Sequence, residues 1–392
     1  MTLPLEGIKA LDLSSLLPGS LCTQILADLG AEVLKIENPE GGDNFRWTPP
    51  IVKTLGSFFH VTNRNKRGMK LNLRDQEGRG IFLKMVPEAD VLIESFSPGT
   101  MKGWGLGYED LKGINPRLIY CSLTGFGQDG PYSGRPAHDI NLLSISGILD
   151  LLGEKDGRPI VPAIQIAGAG GGSLNAALGI MASLLRRERT GKGQYLDVSI
   201  LDGLTPFLGL TMSQYMTDGQ VPRRGETLVG GGYAFYNVYE TADGKFLSLG
   251  CLEEKFWKEF CKAVEREDMI KDQFAPSPRR EELIEEVRNI ISQRNRQEWI
   301  DIFTHYDICF SPVNSLEEVL EDPHIQHRGL WFKCTHPVDG KVPQQAFPIK
   351  FSEDQPDFRM HPPGFGEHTG EILRELGYTD LEIEELSKHG II

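Results

Sequence analysis

The chain has 392 residues, of which 40% are hydrophobic and 24% are charged, and its formal net charge is −14. This length predicts two domains rather than one compact core, and the acidic balance argues against a nucleic-acid-binding protein. Six cysteines are scattered without a CxxC pair, so we expect neither a disulfide framework nor a structural zinc site.

The N-terminal residues "MTLPLEGIKALDLSS" lack the charged segment and apolar run of a signal peptide. No apolar run reaches about 18 residues, so no membrane-spanning helix is expected. His324 and His327 form an HxxH pair without an evident third ligand, and we expect no metal cofactor. These features predict a cytoplasmic protein that binds neither a membrane nor a nucleic acid.

The first elements predict a strand–helix–strand unit. Residues 8–13 form a short β-like run, residues 18–30 have helical spacing that ends at Gly30, and residues 31–37 form a second strand. This order indicates a parallel βαβ unit. Its first turn offers only Gly19 where a dinucleotide-binding fold needs GxGxxG, so bound NAD is not expected.

Further elements of the same kind follow. They are a predicted helix over 77–88, strands over 89–96 and 117–125, a helix over 173–190 and a strand over 193–201. The pattern after residue 220 is an aromatic β-hairpin at 230–250, helices at 253–265 and 279–304, and a mostly helical tail at 366–392. The sequence therefore predicts an α/β domain followed by a smaller α+β domain over roughly 225–330.

A glycine-rich stretch, "GAGGGS" at 168–173, precedes the helix over 173–190. Glycines permit positive φ angles and close approach of another backbone, and amides at a helix N-terminus can bind an anion. The spacing is not GxxxxGK[ST] and no lysine follows, so a P-loop is excluded. A closely packed strand-to-helix turn and an anion-binding loop are both compatible with these residues.

His138 and Asp139 follow the turn-rich stretch 124–136 and begin a run with helical periodicity. A loop histidine beside a carboxylate at the start of a helix can serve as a general base. The same pair is also an ordinary way to begin a helix. The residues alone leave both interpretations open.

Residues 63–74, "NRNKRGMKLNLR", concentrate positive charge in an acidic chain. The cations are Arg64, Lys66, Arg67, Lys70 and Arg74. Such a stretch indicates either a solvated basic loop or a cradle for a phosphorylated ligand.

Several long motifs resemble the family III CoA-transferases, the CaiB–BaiF group that also contains α-methylacyl-CoA racemases. They include "GIKALDLSSLLPGSLCTQILADLGAEVLKIE", "NRNKRGMKLNL", "ADVLIESFSPGTM", "RLIYCSLTGFGQDGPY", "HDIN", "TGKGQYLDVSILDG" and "YETADGKFLSLG". These motifs occur in the family's order over nearly the whole chain, so the resemblance covers both predicted domains.

The resemblance implies an α/β fold with a large Rossmann-like domain at 1–205, a smaller α+β domain at 225–330, and a segment at 331–392 that returns to the large domain. It also implies an interlocked homodimer and an acyl-CoA bound in a cleft between the domains. The residues implied to bind coenzyme A are Lys66, Arg67, Lys70, Leu71, Ser95 and Phe96.

Family members that resemble this chain carry an aspartate in the glycine stretch, in a pattern like "ADIGGG". Here the matching text is "AGAGGG", and Gly168 stands at the aspartate position. In the transferases this aspartate is the nucleophile that attacks the acyl-CoA thioester and then carries CoA. Glycine has no side chain, so CoA transfer by this chain needs another carboxylate, such as Asp139 or an aspartate of a partner chain.

In the racemases the same aspartate and a histidine act as opposing bases beside Cα of the acyl group. His138 matches that histidine, and Glu253 matches a glutamate that racemases place near the site. Ser97 stands where racemases often have an arginine. The chain therefore resembles racemases at two positions and lacks the carboxylate that both reactions use.

Three functions follow from these residues. The leading interpretation is an enzyme that moves CoA between carboxylic acids, with an acyl-CoA and a free acid as its small-molecule partners. The second is a racemase or epimerase that transfers a proton at Cα with His138 as the base. The third is a non-catalytic, CoA-binding subunit of a heteromeric CoA-transferase, paired with a paralogue that carries the loop aspartate.

Overall fold

The computed structural model describes residues 3–392. Its strands, in chain order, are β1 (Lys9–Leu13), β2 (Glu32–Glu37), β3 (Ile51–Val52), β4 (Leu55–Gly56), β5 (Lys66–Lys70), β6 (Val91–Glu94), β7 (Ile119–Thr124), β8 (Gln194–Ser199), β9 (Tyr236–Glu240), β10 (Phe246–Gly250), β11 (Phe310–Pro312), β12 (Trp331–His336) and β13 (Gly340–Gln345).

The α-helices of the same residues are α1 (Leu16–Asp28), α2 (Ser57–Thr62), α3 (Gln76–Met85), α4 (Thr100–Gly103), α5 (Tyr108–Ile114), α6 (Asp139–Ser146), α7 (Ile148–Leu151), α8 (Asn175–Thr190), α9 (Thr205–Asp218), α10 (Glu254–Ala263), α11 (Arg279–Ile291), α12 (Arg296–Phe303), α13 (Leu316–Glu321), α14 (Pro323–Arg328), α15 (Thr369–Glu375) and α16 (Asp380–Lys388). A π-helical segment, Ala167–Leu174, leads directly into α8.

The main sheet is parallel, with the strand order β5-β2-β1-β6-β7-β8. Every residue of β6 and β7 is buried, as expected where helices cover both faces of a parallel sheet. From β1 the chain first adds strands on one side and then, from β6 onward, on the other. The gap between the carboxyl ends of β1 and β6 is therefore the switch point at which such sheets bind ligands. This arrangement confirms the predicted Rossmann-like α/β fold.

Two compact units divide the chain. The first comprises residues 1–146, 162–206 and 323–392, and the second comprises residues 147–161 and 207–322. The sequence expectation placed boundaries near residues 205 and 331, and it did not assign residues 147–161 to the smaller unit. The C-terminal residues belong to the first unit together with the parallel sheet.

The core of the first unit lies between one face of the sheet and a layer of helices. Apolar side chains of β1 and β6 pack there against α3, α15 and α16, with Leu11, Phe82 and Leu373 as buried examples. The second unit has its own core, in which the antiparallel sheet β11-β10-β9 meets α10, α11 and α12. Each unit thus buries the apolar faces that its own elements present.

The continuous helix Ala167–Thr190 is longer than the helix expected over 173–190, and no helix able to span a membrane was expected. By length and composition it is long and apolar enough to cross a membrane, and half of its most apolar stretch is buried within the protein. It packs against α1, β7 and β8 of the parallel sheet. A core helix with one exposed face has the same length and composition.

Candidate functional site at the switch point

A compact turn follows β1 at the switch point. α1 begins at Leu16, whose φ of +61° lies in the left-handed region. A Cβ built on Gly19 would stand 2.1 Å from Cβ of Ser14, so only glycine allows the start of the helix to pack against the end of the strand. We refer to residues 14–20 as the 14–20 turn.

Ser95 and Phe96, which follow β6, lie beside this turn. The Oγ atom of Ser95 accepts a hydrogen bond from the backbone N–H of Ser15 at 3.2 Å, which joins the loops after β1 and β6. Phe96 packs edge-on against Trp104, with ring centroids 5.2 Å apart. Burial raises the pKa of the Glu94 carboxyl, which accepts the N–H of Phe96 at 2.8 Å. Ser95 and Phe96 therefore lie at the carboxyl edge of the sheet.

The glycine-rich stretch is the π-helical start of a long helix rather than a strand-to-helix turn. A Cβ built on Gly171 would stand 2.6 Å from the carbonyl oxygen of Ile200, so close packing requires glycine there. A Cβ built on Gly168 would meet no atom closer than 3.5 Å, which is ordinary van der Waals contact. Gly168 thus leaves room for a Cβ atom, whereas Gly171 does not.

Asp139 is the residue that faces Gly168. It is half-buried at the start of α6, and its Oδ1 accepts the backbone N–H of Gly168 at 2.7 Å. The same oxygen lies 3.6 Å from the place of a Cβ on Gly168. The anion at the amide of the glycine stretch is therefore the carboxylate of Asp139. It stands next to the position that an aspartate side chain at residue 168 would enter.

His138 is exposed and directly precedes Asp139 in the chain. Its backbone N–H donates to Oδ1 of Asn141 at 2.9 Å, and its carbonyl oxygen accepts the N–H of Asn141 at the same distance. These bonds fix the first turn of α6. The structure thus brings Asp139 to Gly168, which lies 29 residues later in the sequence, and His138 precedes Asp139 at the start of α6.

The basic stretch 63–74 is not a solvated loop, because its centre is the edge strand β5. Consecutive side chains of a strand point to opposite faces, so Lys66 and Arg67 leave β5 on different sides. Lys66 is fully buried and its Nζ donates to Oδ1 of Asn63 at 2.8 Å. Arg67 is partly exposed and pairs with Glu371 and Glu375 of α15. Lys66 and Arg67 were both implied to bind coenzyme A, but the buried Lys66 lies on the opposite face of β5 from Arg67.

Lys70 and Leu71 lie at the end of the same strand. The N–H of Lys70 donates to Oγ1 of Thr369 at 3.0 Å, and its Nζ lies 5.7 Å from the ring centre of Phe365. The side chain of Leu71 is buried in the core of the first unit. Leu71 therefore contributes packing, and Lys70 is the partly exposed cation at this end of the strand.

Glu253 belongs to the second unit. It is exposed and precedes the first residue of α10. Its role in the sequence analysis rests on the racemase resemblance, and it remains a prediction.

Two buried histidines and an aspartate form a cluster that the sequence analysis did not expect. His60 Nε2 lies 2.7 Å from Oδ2 of Asp339, and His336 completes a set of possible ligand atoms within 4.8 Å of one another. His336 Nδ1 accepts the N–H of Asp339 at 3.0 Å, and its Nε2 donates to the carbonyl oxygen of Pro362 at 3.2 Å. Both nitrogens of His336 are thus used within the chain. These hydrogen bonds link α2 to the β12–β13 hairpin, while the buried Nδ1 of His60 has no hydrogen-bond partner.

The residues that hold the 14–20 turn were not predicted from the sequence. Lys35 and Asp43 are fully buried and form an ion pair at 3.0 Å. Lys35 lies inside the apolar run of β2, and a charged residue in such a position indicates a buried partner. Leu17 and Pro18 gave no comparable signal, because their proximity to Gly168, which is remote in the sequence, arises only in the fold.

Comparison with known proteins shows relatives along the whole chain. The profile of the family described as CoA-transferase family III matches residues 5–369. Succinyl-CoA:glutarate CoA-transferase from Mus musculus is 35% identical over 99% of this chain and 90% of that protein. Alpha-methylacyl-CoA racemase from Homo sapiens is 34% identical over 99% of this chain and 97% of that protein.

A solved structure has the same fold. The crystal structure of a CAIB/BAIF family protein from Brucella suis has a TM-score of 0.82 and 33% sequence identity, and the match covers 96% of this chain and 100% of that chain. The profile match and these relatives together extend over both compact units. The chain belongs to CoA-transferase family III.

Proposed function

We propose that the protein moves CoA from an acyl-CoA to a carboxylic acid, with Asp139 supplying the carboxylate that position 168 lacks. The observation that carries this proposal is the placement of Asp139 Oδ1, 2.7 Å from the amide nitrogen of Gly168. The transferase among the similar proteins supports the reaction class. The half-exposed Asp139 carboxylate lies at the carboxyl edge of a parallel sheet, where ligands of this fold class bind.

The reaction needs one nucleophilic carboxylate and no oxidant or reductant. Asp139 attacks the thioester carbonyl, the C–S bond breaks, and CoA leaves as a thiolate while a mixed anhydride forms. The thiolate then attacks the aspartyl carbonyl of the anhydride and releases the first acid, which leaves CoA as a thioester on Asp139. The acceptor acid repeats these two steps in reverse and regenerates the free carboxylate.

A trapping experiment tests this assignment directly. The purified protein is incubated with acyl-CoA, denatured and digested, and mass spectrometry locates any covalent CoA. We expect CoA on the peptide that contains Asp139, loss of the adduct and of CoA exchange in Asp139→Asn, and retention of both in Asp129→Asn. Asp129 is an exposed carboxylate of the preceding loop and serves as the matched control. Exchange that persists in Asp139→Asn contradicts the assignment.

The racemase relative favours a second candidate function. The exposed imidazole of His138 can remove a proton from Cα of a bound 2-methylacyl-CoA, since the thioester acidifies that hydrogen. Incubation in D₂O tests this reaction: deuterium at Cα in the wild type, and none in His138→Ala, supports proton transfer. Deuterium incorporation without covalent CoA on Asp139 favours this function over CoA transfer.

The absence of both reactions has its own meaning. An acyl-CoA that binds in a calorimetric titration without exchange, adduct or deuterium incorporation supports the third interpretation, a non-catalytic subunit. Co-purification with a paralogue that carries the loop aspartate then identifies the partner. A protein that binds neither CoA nor acyl-CoA contradicts all three interpretations.

A further inference from the structure

Four charged side chains are enclosed beneath the 14–20 turn. Asp12, Lys35, Asp43 and Lys66 are each at most 1% exposed. Lys35 pairs with Asp43 at 3.0 Å, and Lys66 pairs with Asp12 at 3.3 Å. Burying an ion pair costs several kcal/mol per ion in desolvation, and apolar residues of similar volume are often equally stable. Two such pairs side by side therefore call for a role other than stability.

The first half of the turn is held by three of these residues. Asp12 Oδ1 accepts the N–H of Ser14 at 2.9 Å, and Lys35 Nζ donates to the carbonyl oxygen of Ser14 at 2.9 Å. Both carboxylate oxygens of Asp43 lie 3.2 Å from the amide nitrogen of Leu16, the residue with positive φ. The network thus stabilises a backbone conformation that a leucine rarely adopts.

The second half of the turn is held by the same network. Lys66 Nζ donates to the carbonyl oxygen of Ser20 at 2.9 Å, and the hydroxyl of Ser20 donates to Oδ2 of Asp43 at 3.2 Å. Ser14 and Ser20 are therefore fixed on either side of Leu17 and Pro18.

The 14–20 turn contacts the glycine-rich stretch. Cδ2 of Leu17 and Cγ of Pro18 lie 3.6 and 3.5 Å from the place of a Cβ on Gly168. The carbonyl oxygen of Pro18 accepts the hydroxyl of Ser173 at 2.8 Å. The apolar wall beside Gly168 thus has its position set by the buried charges.

We propose that Asp12, Lys35, Asp43 and Lys66 are positioning residues that hold Leu17 and Pro18 against Gly168, and so set where a thioester meets the carboxylate of Asp139. The catalytic part of this inference rests on the proposed function. The structural part, that the buried charges order the 14–20 turn and the glycine stretch, does not.

The titration of Lys66 gives an independent readout. Burial lowers the pKa of Lys66 to about 8, an effect that Asp12 and Asp43 oppose and Lys35 enhances, and the thiol of Cys22 also faces it. The unfolded chain keeps this proton up to its ordinary pKa of 10.5, so the contribution of Lys66 to stability rises with pH between about 8 and 10.5. Over the same pH range the neutral amine of Lys66 no longer attracts Asp12. As pH rises from about 8 to 10.5 we therefore expect the 14–20 turn to become less ordered while the contribution of Lys66 to the free energy of unfolding increases.

The experiment compares amide hydrogen exchange and the kinetics of CoA exchange in the wild type and three variants. Lys35→Met with Asp43→Leu removes one ion pair while keeping apolar volume, and Asp43→Asn is the minimal change. Asp28→Asn breaks the buried Arg64–Asp28 pair of the same unit, which is 2.6 Å long and not part of the network. It is the matched control for loss of a buried charge.

We expect both network variants to exchange amides of 14–20 and 166–174 at least about tenfold faster, while the strands β1, β6 and β7 keep their protection. The kcat for CoA exchange falls at least about tenfold and KM for acyl-CoA changes less than about threefold, because misplacement affects the transition state more than binding. Asp28→Asn lowers the melting temperature but leaves the kcat for CoA exchange unchanged. It also leaves amide hydrogen exchange in residues 14–20 and 166–174 unchanged.

Opposite outcomes are distinguishable. The inference is overturned if amide hydrogen exchange in the network variants is unchanged in residues 14–20 and 166–174. It is also overturned if amide hydrogen exchange rises equally across the whole first unit. If the wild type shows no CoA exchange, the proposed function fails. The structural part is still tested by the hydrogen-exchange protection of the turn amides, in the variants and in the wild type above pH 8.

Discussion

At the scale of single residues, the absence of a side chain at Gly168 and the presence of one at Asp139 are two parts of the same arrangement. The backbone N–H of Gly168 donates to Asp139, and a Cβ at Gly168 would meet only ordinary van der Waals contacts. Gly171 differs, since a Cβ there would overlap the carbonyl oxygen of Ile200. Gly168 and Gly171 are therefore constrained differently by their surroundings.

Alanine substitutions separate these reasons. Gly168→Ala should change the free energy of unfolding by less than about 1 kcal/mol, because the new methyl group has room and alanine favours a helix. Gly171→Ala should lower it by about 1–3 kcal/mol, because its Cβ would overlap the carbonyl of Ile200. Urea unfolding of the two variants measures the difference, and equal midpoints would contradict this reading of the packing.

An aspartate at position 168 should interfere with Asp139. The two carboxylates would share one small space, and like charges in contact raise the pKa of one of them. We expect Gly168→Asp alone to slow CoA exchange at pH 7, and Gly168→Asp with Asp139→Asn to restore it. Exchange assays on the two proteins test this, and a gain of activity in Gly168→Asp alone would place the nucleophile at 168 instead.

His138, Asp139 and Gly168 were proposed as site residues from short sequence motifs, and their catalytic roles remain predictions. The contact between Asp139 and Gly168 was not predicted. That Asp139 accepts the amide of Gly168 depends on tertiary packing, which no local pattern encodes. Lys66 was expected at a ligand for its charge, but alternation along β5 turns it into the interior while Arg67 turns outward.

At the scale of elements, strands with several apolar residues in a short run were predicted well, and the strand dominated by cations was not. β1, β2, β6, β7 and β8 appear where the sequence placed strands. β5 was not predicted as a strand, because the cations of residues 63–74 indicated a basic loop or a cradle for a phosphorylated ligand, and its pairing with β2 makes it a strand. The β12–β13 hairpin was missed for a different reason, because contacts that hold it come from residues near 60, which are remote in the sequence.

The link between α2 and the β12–β13 hairpin should weaken in acid. Burial lowers the pKa of His60 below its ordinary 6.5, with Asp339 opposing the shift and His336 and Arg46 adding to it. Burial alone would raise the pKa of Asp339, but bonds from Thr54 and His60 lower it. The unfolded chain therefore takes up the His60 proton first, and stability is lost as pH falls below about 6.5.

The variant His60→Gln isolates this effect, because an amide can donate to Asp339 but does not titrate. Between pH 7 and 5 we expect the wild type to lose more free energy of unfolding than the variant, by at most about 1.4 kcal/mol per pH unit below 6.5. Denaturant unfolding at both pH values measures this. Parallel losses in the two proteins would remove His60 as the cause.

At the scale of the whole molecule, the chain exposes large apolar side chains on α9. Leu210 and Met216 are 85% and 78% exposed, and Phe207 and Tyr215 are also exposed. A helix face of this kind normally lies in an interface. The interlocked homodimer that the sequence resemblance implies would cover such a face, and it remains a prediction for this chain.

Charged substitutions on α9 test self-association. We expect the wild type to behave as a dimer in light scattering after size exclusion, and Leu210→Glu with Met216→Glu to shift it toward the monomer. Leu381→Glu on α16, which replaces a leucine that is 75% exposed, should leave the mass unchanged. A monomeric wild type contradicts the expectation.

The discontinuous first unit has a consequence for how the protein is made. The strands of its parallel sheet are complete by residue 199, yet its core includes Leu373 and Leu386, which the ribosome adds much later. Domains usually fold in the order of synthesis. Here residues 207–322 can complete the second core while the first still lacks its final helices. Until its C-terminal helices are synthesised, the nascent chain therefore carries a parallel sheet with part of its apolar face uncovered. During this interval a chaperone has the largest exposed apolar surface to bind.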